Sequence, residues 1–213
     1  MGRFHQALQI LGSEQDANIL QTAAVLNNLA VIEQTNGNLS RAAALMRKVV
    51  GMFETDPTAS QEVLGTAASN LASVLRDAGT ITDATTAARR AVSILERCCP
   101  HSEKLAVGLI TLGRLSMDEG DSAGAEALLH QALIAEQGLE DSPARALIFC
   151  DLGVLYGHTG RNREAEPYFQ RALDIDRRLL WTRSPQASRR HGSLRGLSPD
   201  REEEERSEEV GGP

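Results

Sequence analysis

The fold of this 213-residue chain is decided by the stretch Gly160-Arg161-Asn162-Arg163-Glu164-Ala165-Glu166-Pro167-Tyr168-Phe169-Gln170-Arg171-Ala172-Leu173. Its glycine is followed by alanine after five residues and again after twelve. Upstream, glycines with similar surroundings stand at Gly37, Gly79 and Gly120, so that successive glycines lie 42, 41 and 40 residues apart. A sequence that repeats at this period is built from copies of one supersecondary unit.

Three further columns of residues keep a fixed distance from the glycine. Leucine stands eight residues before it, alanine five residues after it, and a small apolar residue twelve residues after it. The members of these columns are Leu29, Leu71, Leu112 and Leu152, then Ala42, Ala84, Ala125 and Ala165, and then Val49, Ala91, Ala132 and Ala172. Columns that stay in register over four units predict four copies of the same structure.

Each unit is expected to be a pair of helices, A and B, joined by a turn at the glycine. Before the first glycine, apolar residues recur at helical spacing at Leu26, Leu29 and Ile32, which indicates helix A. Glycine ends this helix because it adopts the left-handed conformation without steric cost. Helix B is expected from about four residues after each glycine, with its alanine column packed closely against helix A.

Proline marks the junctions between units. Pro57, Pro100 and Pro143 recur at steps of 43 residues, and proline can start a helix but cannot continue one. The four units are therefore expected over residues of about 17–57, 58–100, 101–143 and 144–181.

The two ends of the chain depart from this pattern. His5-Gln6-Ala7-Leu8 repeats His130-Gln131-Ala132-Leu133, so residues 1–16 are expected to form a partial repeat, a helix B without its helix A. The last helix B closes on Leu179-Leu180-Trp181 without a polar capping helix, which predicts an apolar end. Residues 182–213 are rich in Ser, Pro, Arg and Glu, and this composition predicts a disordered tail.

The repeat resembles the tetratricopeptide repeat, especially the long-period variety found in kinesin light chain and in many bacterial regulators. The stretch from Gly160 to Leu173 is similar to the second helix of that variety nearly residue for residue, while Glu33 and Ser116 stand where the family has a large aromatic or aliphatic residue. The resemblance implies an all-α fold, a right-handed α-α superhelix of four full helical hairpins and a partial N-terminal one. It also implies a concave face lined by the A helices.

The concave face is where the resemblance predicts binding of a peptide or partner protein. In the family, asparagines just before the leucine column often hydrogen-bond the backbone of an extended peptide, and Asn28 and Asn70 match that place. The candidate binding residues on this face are Asn27, Asn28, Gln34, Ser69, Asn70, Ser73, Arg76, Arg114, Asp118, Asp151 and His158. The competing interpretation is that these polar residues only solvate a helix face.

Composition excludes several classes of partner. A net charge of -7 without a Lys and Arg cluster disfavours nucleic acid. No apolar run approaches the roughly 18 residues that cross a bilayer, and the stretch from Met1 to Leu11 lacks the basic end and long apolar run of a signal peptide. The protein is therefore expected in the cytoplasm, without membrane partners.

No catalytic or metal-binding pattern emerges, so the chain is expected to be neither an enzyme nor a cofactor protein. The histidines are scattered and form no HExxH or paired Cys/His spacing; they are His5, His101, His130, His158 and His191. The three cysteines, Cys98, Cys99 and Cys150, form no CxxC pair, and buried, reduced thiols are expected.

The sequence thus favours a protein-interaction scaffold that binds a peptide or partner protein on its concave face. The alternative is a regulatory or substrate-recruiting module of a larger enzyme, such as a protease, NTPase or kinase. Self-association through the exposed end near Trp181 is a further possibility for the apolar residues there.

Overall fold

The structure is a computed structural model that describes residues 19–136, 138 and 141–182. These residues contain no strand, and their helices are α1 (Ile19–Thr35), α2 (Leu39–Thr55), α3 (Gln61–Asp77), α4 (Ile81–Cys98), α5 (Glu103–Asp118), α6 (Ser122–Ala135), α7 (Pro143–His158) and α8 (Asn162–Thr182). Odd numbers are A helices and even numbers are B helices. The predicted all-α superhelix of helical hairpins is confirmed. No helix in this part of the chain is both long and apolar enough to cross a bilayer.

Each A helix ends at the glycine on which the repeat is built. The four φ angles, all in the left-handed region, are 78° at Gly37, 74° at Gly79, 83° at Gly120 and 75° at Gly160. In the second unit, the N–H of Thr80 donates to the C=O of Leu75 at 3.0 Å, and the N–H of Gly79 donates to the C=O of Arg76 at 2.9 Å. The same two bonds recur in every unit. They form the Schellman motif, which satisfies carbonyls left unpaired at a helix end.

The B helices begin earlier than the sequence predicted. They start two residues after the glycine and not four. The reason is that the residue between the glycine and helix B closes the Schellman motif and is directly followed by helix B. Only in the third unit does its side chain also cap that helix, because the side chains of Asn38 and Thr80 make no capping bond. In the third unit this residue is Asp121, whose side chain accepts a hydrogen bond from the N–H of Gly124 at 2.9 Å. A single residue between the glycine and helix B is therefore enough to connect helix A to helix B.

Serine caps start the A helices that follow a junction. The hydroxyls of Ser60, Ser102 and Ser142 accept a hydrogen bond from the N–H three residues on. Only one junction proline starts a helix, since Pro143 is the first residue of α7, whereas Pro57 and Pro100 lie in the connections before α3 and α5. The helix starts are therefore fixed by side-chain caps, with proline only restricting the chain before two of them.

The alanine column lies in the contact between helices A and B, as the sequence predicted. Ala42, Ala84 and Ala125 are fully buried and Ala165 almost so. The facing helix is also small at this level in the third unit, where Gly113 lies opposite and a Cβ added to it would already reach van der Waals contact with Leu129 Cγ at 3.4 Å. Small residues on both helices permit a close approach that leaves little room for a larger side chain.

The position four residues after the leucine column tolerates polar atoms that are hydrogen-bonded or ion-paired. Glu33 stands there in the first unit and is completely buried. Asn38 donates from Nδ2 to Glu33 Oε2 at 2.8 Å, and Arg41 Nη1 lies 3.4 Å from Glu33 Oε1. In the last unit the same position is Tyr156, whose hydroxyl donates to Glu126 Oε1 at 2.6 Å. The departure at Glu33 therefore leaves the hairpin intact.

The A helices lie on the inner side of the superhelix. Every helix packs on the next one along the chain, and in addition α3 packs on α5 and α5 on α7. Between 19 and 182, the B helices of successive units do not pack together to that extent, and neither do α1 and α3. The B helices are joined instead by long side chains, such as Arg47, whose Nη2 lies 3.5 Å from Asp83 Oδ2. A stack with its A helices closer together curves toward them, so the A helices line the concave face.

The last B helix exposes apolar side chains at places that earlier units bury. Phe169 is 38% exposed, whereas Leu129, at the same place in the third unit, is fully buried. Leu173 and Leu180 are also largely exposed. The place of Leu173 is buried in the first two units, at Val50 and Val92, whereas Leu180 takes the place of the exposed Pro57 and the intermediate Cys99. With Phe169 and Leu173 uncovered, α8 presents the apolar end that the sequence predicted. The side chain of Trp181, residues 1–16 and the tail beyond Thr182 lie outside the described residues.

The expectation of buried cysteines is wrong. Cys98 and Cys150 are exposed, Cys99 is intermediate, and all three are free thiols. Cys98 is the last residue of α4, so it and Cys99 lie beyond the contact between A and B. Cys150 takes the place of the buried Ile110 in the preceding unit and is exposed because α7 carries no following hairpin in the described residues. The histidines within the described residues, His101, His130 and His158, are exposed as expected.

Opposite effects are predicted for alanine at two glycines. Gly79→Ala should destabilise the fold by about 1 kcal/mol, because an L residue rarely adopts a φ of 74°. Gly51→Ala should stabilise it by about 0.5–1 kcal/mol, because Gly51 is in the interior of α2 and an added Cβ meets no atom within 4 Å. Urea unfolding measures both changes. Shifts of the same sign would contradict the left-handed turn at Gly79.

A second prediction tests the alanine column. Ala125→Leu should cost roughly 1–3 kcal/mol by overpacking the contact between α5 and α6. Its control is Ala127→Leu, two residues along the same helix, where the side chain is exposed and the cost should stay below about 0.5 kcal/mol. Thermal unfolding of the two variants distinguishes them, and equal tolerance would mean that the column does not lie in the helix contact.

Candidate partner-binding face

Amide side chains join the first two A helices across the concave face. Asn70 donates from Nδ2 to Asn27 Oδ1 at 3.1 Å, and Gln34 donates from Nε2 to Asp77 Oδ2 at 2.5 Å. The partners of each bond stand 43 residues apart, which is about one repeat. We call a row of such bonds between neighbouring A helices a seam. Asn28 lies beside the seam between α1 and α3, is exposed, and makes no side-chain hydrogen bond with the described residues.

Two ion pairs join α3 to α5. Arg76 donates from Nε to Asp118 Oδ2 at 2.6 Å and from Nη2 to Asp118 Oδ1 at 3.2 Å, a bidentate contact that raises the pKa of the guanidinium. Lys104 pairs with Glu62, and that hydrogen bond raises the pKa of the ammonium. Both pairs are partly exposed, so each contributes little to stability.

A more buried pair joins α5 to α7. Arg114 donates from Nε to Asp151 Oδ2 at 2.7 Å, with 10% of the Asp151 side chain and 33% of the Arg114 side chain exposed. Burial raises the pKa of Asp151 above its usual 3.8, while the hydrogen bond and charge of Arg114 oppose this rise. The Asp151 carboxylate thus depends on Arg114 to offset its desolvation.

Two recesses open between the A helices at their N-terminal halves. The α1–α3 recess, of about 320 Å³, lies between Ala24 and Asn28 of α1 and Ala67 and Asn70 of α3, with Phe53 of α2 among its buried lining residues. It also reaches Asn27.

The α3–α5 recess is smaller, at about 130 Å³. Its lining includes Ser69 of α3, and Glu103 and Val107 of α5. Ser69 is almost fully buried, and its Oγ has no hydrogen-bond partner among the described residues. The two recesses adjoin, because Thr66, Asn70 and Lys104 line both and α3 separates them.

Most of the candidate residues lie in this row of seams and recesses. Asn27 and Asn70 bond to each other, Arg76 pairs with Asp118, and Arg114 pairs with Asp151; Gln34, Asn28 and Ser69 lie in the same row. Ser73, half-buried, and His158, exposed at the end of α7, contact no other candidate in the described part of the chain through a side-chain bond.

Sequence reasoning missed Glu62, Asp77 and Lys104 on this face. The available signal was complementary polar residues about one repeat apart, because Glu62 and Lys104 stand 42 residues apart and Gln34 and Asp77 stand 43 apart. Residues at this separation face each other on successive A helices.

The face offers the chemistry of recognition. Amide, hydroxyl and guanidinium groups alternate with small apolar surfaces, which suits hydrogen bonding to a peptide backbone beside side-chain contacts. Within the described ranges, His, Cys, Asp and Glu side chains form no group of three that could hold a metal ion.

Family comparison gives one consistent result. Two models described as tetratricopeptide repeat match the chain, one over residues 104–178 and the other over residues 22–55 and 64–99. No curated protein matches the chain significantly in sequence.

Solved structures share the fold at low sequence identity. BtubC (BKLC) from P. vanneervenii is 23% identical, with a TM-score of 0.70 over 83% of this chain and 70% of that chain. Nearly identical TPR-like repeats of a putative kinesin light chain from Podosopora anserina are 19% identical, with a TM-score of 0.61 over 84% of this chain and 89% of that chain. The Rap conjugation gene regulator of plasmid pLS20, in complex with the Phr* peptide, is 16% identical, with a TM-score of 0.70 over 86% of this chain and 52% of that chain.

The Arg114–Asp151 pair predicts a pH-dependent cost of mutation. Arg114→Met leaves the buried Asp151 carboxylate unpaired and should cost roughly 1–3 kcal/mol at pH 7. A carboxyl whose pKa is higher in the folded state adds stability below its unfolded pKa and loses it as pH rises through the folded pKa. Removing Arg114 raises the folded pKa further, so the cost should shrink as pH falls from 7 toward 4.

Urea unfolding at the two pH values tests this prediction. Arg47→Met is the matched control, because Arg47 and Asp83 are each more than half exposed and their separation should change stability by less than about 0.5 kcal/mol. A cost for Arg114→Met that is the same at both pH values would show that Asp151 is not the group left unpaired.

Proposed function

The chain belongs to the tetratricopeptide repeat family and is a protein-interaction scaffold, and we propose that its partner is an extended peptide or protein segment lying along the concave A-helix face. The observation that carries the proposal is the pair Asn28 and Asn70. They stand one residue before the leucine column in successive units, and both line the α1–α3 recess.

Both asparagines have hydrogen-bonding capacity left for a partner. A side-chain amide has two N–H donors and an oxygen with two lone pairs. Asn70 uses one donor on Asn27, and Asn28 uses none of its groups on the described residues. A peptide backbone presents alternating N–H and C=O groups, which can pair with side-chain amides on the neighbouring helices α1 and α3.

Charged residues extend the binding row toward the C-terminal units. Arg76 and Arg114 each give hydrogen bonds to an aspartate, but a guanidinium has five N–H donors. Because about a third of each arginine side chain is exposed, its remaining donors can contact an acidic or carbonyl group of the partner. Asp118, Asp151, Gln34, Ser73 and His158 complete the proposed contact row.

Peptide binding by a similar fold supports the choice of partner. The Rap regulator that this chain resembles in fold was solved in complex with the Phr* peptide. The tetratricopeptide fold is generally non-catalytic, and the proposal assigns no catalytic activity or cofactor. With a net charge of -7, the proposed partners are proteins in the cytoplasm and not nucleic acids or membranes.

We also propose self-association through a different surface, the apolar end formed by α8. Leu173 of α8 is exposed one turn from the partly exposed ring of Phe169, and Leu180 is exposed two turns further along. Exposed apolar side chains that line one helix in this way often mark interfaces. This end, near Trp181, is separate in sequence from the asparagines of the groove.

The groove proposal predicts a specific loss of affinity. Asn28→Ala and Asn70→Ala should each weaken binding of a purified partner by about 1 kcal/mol. Asn162→Ala is the control, because Asn162 is exposed on the B helix α8 and should have no effect. Isothermal titration measures affinity, and circular dichroism verifies that each variant folds. A partner that binds both groove variants like the parent, yet loses affinity on Leu180→Asp, would show that the ligand sits at the end of α8.

A further inference from the structure

Two neighbouring cysteines lie at the junction between the second and third units. Cys98 is the last residue of α4, Cys99 follows it, and both are free thiols. We infer that they form a dithiol site that captures a trivalent arsenical, a compound whose arsenic atom carries one organic group and one replaceable oxygen. The inference goes beyond the proposed function and does not depend on it.

The two sulfur atoms lie side by side at an accessible place. Cys98 Sγ and Cys99 Sγ are 2.8 Å apart, so that one atom can bond to both. Cys98 is exposed and Cys99 is partly exposed, so a small reagent can reach the pair. Two accessible thiols in contact are what a centre that forms two bonds to sulfur requires.

The end of α4 brings the two sulfurs together. Successive residues of an α-helix point about 100° apart, so neighbouring side chains inside a helix do not face each other. The helix stops at Cys98, and Cys99 takes a φ of -148° and a ψ of 59°. Pro100 favours this departure, because the residue before a proline is disfavoured in the helical conformation. The helix end therefore turns two neighbouring cysteines into a facing pair.

Hydrogen bonds on both sides hold Cys99 in this conformation. Its N–H donates to the C=O of Leu95 in α4 at 2.8 Å. Its C=O accepts a hydrogen bond from Ser102 Oγ at 2.8 Å, and that Oγ in turn accepts from the N–H of Leu105 in α5 at 3.2 Å. The position of the pair is thus part of the folded junction, so a ligand that needs both sulfurs does not have to order them first.

The backbone favours a bridging atom over a direct disulfide. The Cα atoms of neighbouring residues are about 3.8 Å apart across a trans peptide bond, whereas a disulfide usually joins Cα atoms about 4.4–6.8 Å apart. A bridging atom relieves this constraint, because the sulfurs need not approach to the roughly 2.05 Å of an S–S bond. Thiol sulfur is a soft ligand, and trivalent arsenic is a soft acceptor that bonds two sulfurs while it keeps its organic group.

Capture is a condensation in which no atom changes its oxidation state. Two arsenic–sulfur bonds form, while two S–H bonds and the arsenic–oxygen bond break. The oxygen leaves as water with the two thiol protons. The step therefore needs neither an oxidant nor a reductant.

Phenylarsine oxide, added to the folded and reduced full-length chain, tests the inference. The chain has three cysteines, so the expected result is one arsenic per chain, two thiols consumed, and the thiol of Cys150 left free. Intact-mass spectrometry counts the arsenic, and a thiol titration counts the remaining thiols. The adduct should resist an excess of a monothiol and should be removed by ethanedithiol.

Single replacements assign the site to the pair. Cys98→Ser and Cys99→Ser should each weaken capture by about tenfold or more, because the second bond to arsenic is lost. Cys150→Ser is the matched control, since it removes an exposed thiol outside the junction and should leave capture unchanged. Circular dichroism verifies the fold of each variant. Capture that survives the loss of Cys98 or Cys99, or that disappears with Cys150, would overturn the site.

A relocated pair tests the role of the helix end. Arg89 and Arg90 are neighbouring, exposed residues in the interior of α4. Arg89→Cys with Arg90→Cys, in a chain whose own three cysteines are replaced by serine, gives an accessible pair whose side chains diverge. This pair should capture phenylarsine oxide about tenfold less tightly than the Cys150→Ser chain does. Equal affinities would show that adjacency in sequence is sufficient, and would overturn the assignment of the site to the end of α4.

Discussion

Every unit of this structure depends on one backbone constraint, the left-handed glycine that ends each A helix. At a φ between 74° and 83°, the glycine closes a Schellman motif and lets helix B begin two residues later. So short a turn brings helix B directly against helix A. The contact requires a small side chain, which is the buried alanine five residues after the glycine. The two helices together then present one A helix to the next unit. The repeat period, the hairpin and the concave face all follow from that turn.

The features that the sequence predicted are those that depend on a residue's own side chain. A left-handed turn needs Gly79 and a close helix contact needs Ala84, so both appear as columns in the sequence. The features it did not predict depend on neighbours from another unit. Ser69 is polar and was placed on the open face, yet α5 packs over it; Cys150 is exposed because no hairpin follows α7 in the described residues. That the candidate residues lie on the A helices was anticipated, but the pairing on that face, as for Glu62 with Lys104, was not.

The same side chains that hold successive A helices together form the surface proposed for binding. The first seam is made by neutral amides beside the larger recess, and the seam between α5 and α7 is made by the partly buried pair of Arg114 and Asp151. A neutral amide hydrogen bond can be exchanged for one to a ligand at a small cost in free energy, whereas breaking a buried ion pair costs several times more. The N-terminal half of the face is therefore the part best suited to admit a ligand, and the C-terminal half the part that keeps the superhelix in shape.

The central claim is that a partner lies along the concave A-helix face and contacts the asparagines of its first two units. Side-chain amide signals in a ¹⁵N NMR spectrum test it most directly, because Asn27, Asn28 and Asn70 lie in the groove while Asn36, Asn38 and Asn162 lie outside it. On titration with a bound peptide, the account predicts shifts confined to the first three of these amides. Shifts at Asn162 with the groove amides unchanged would contradict it.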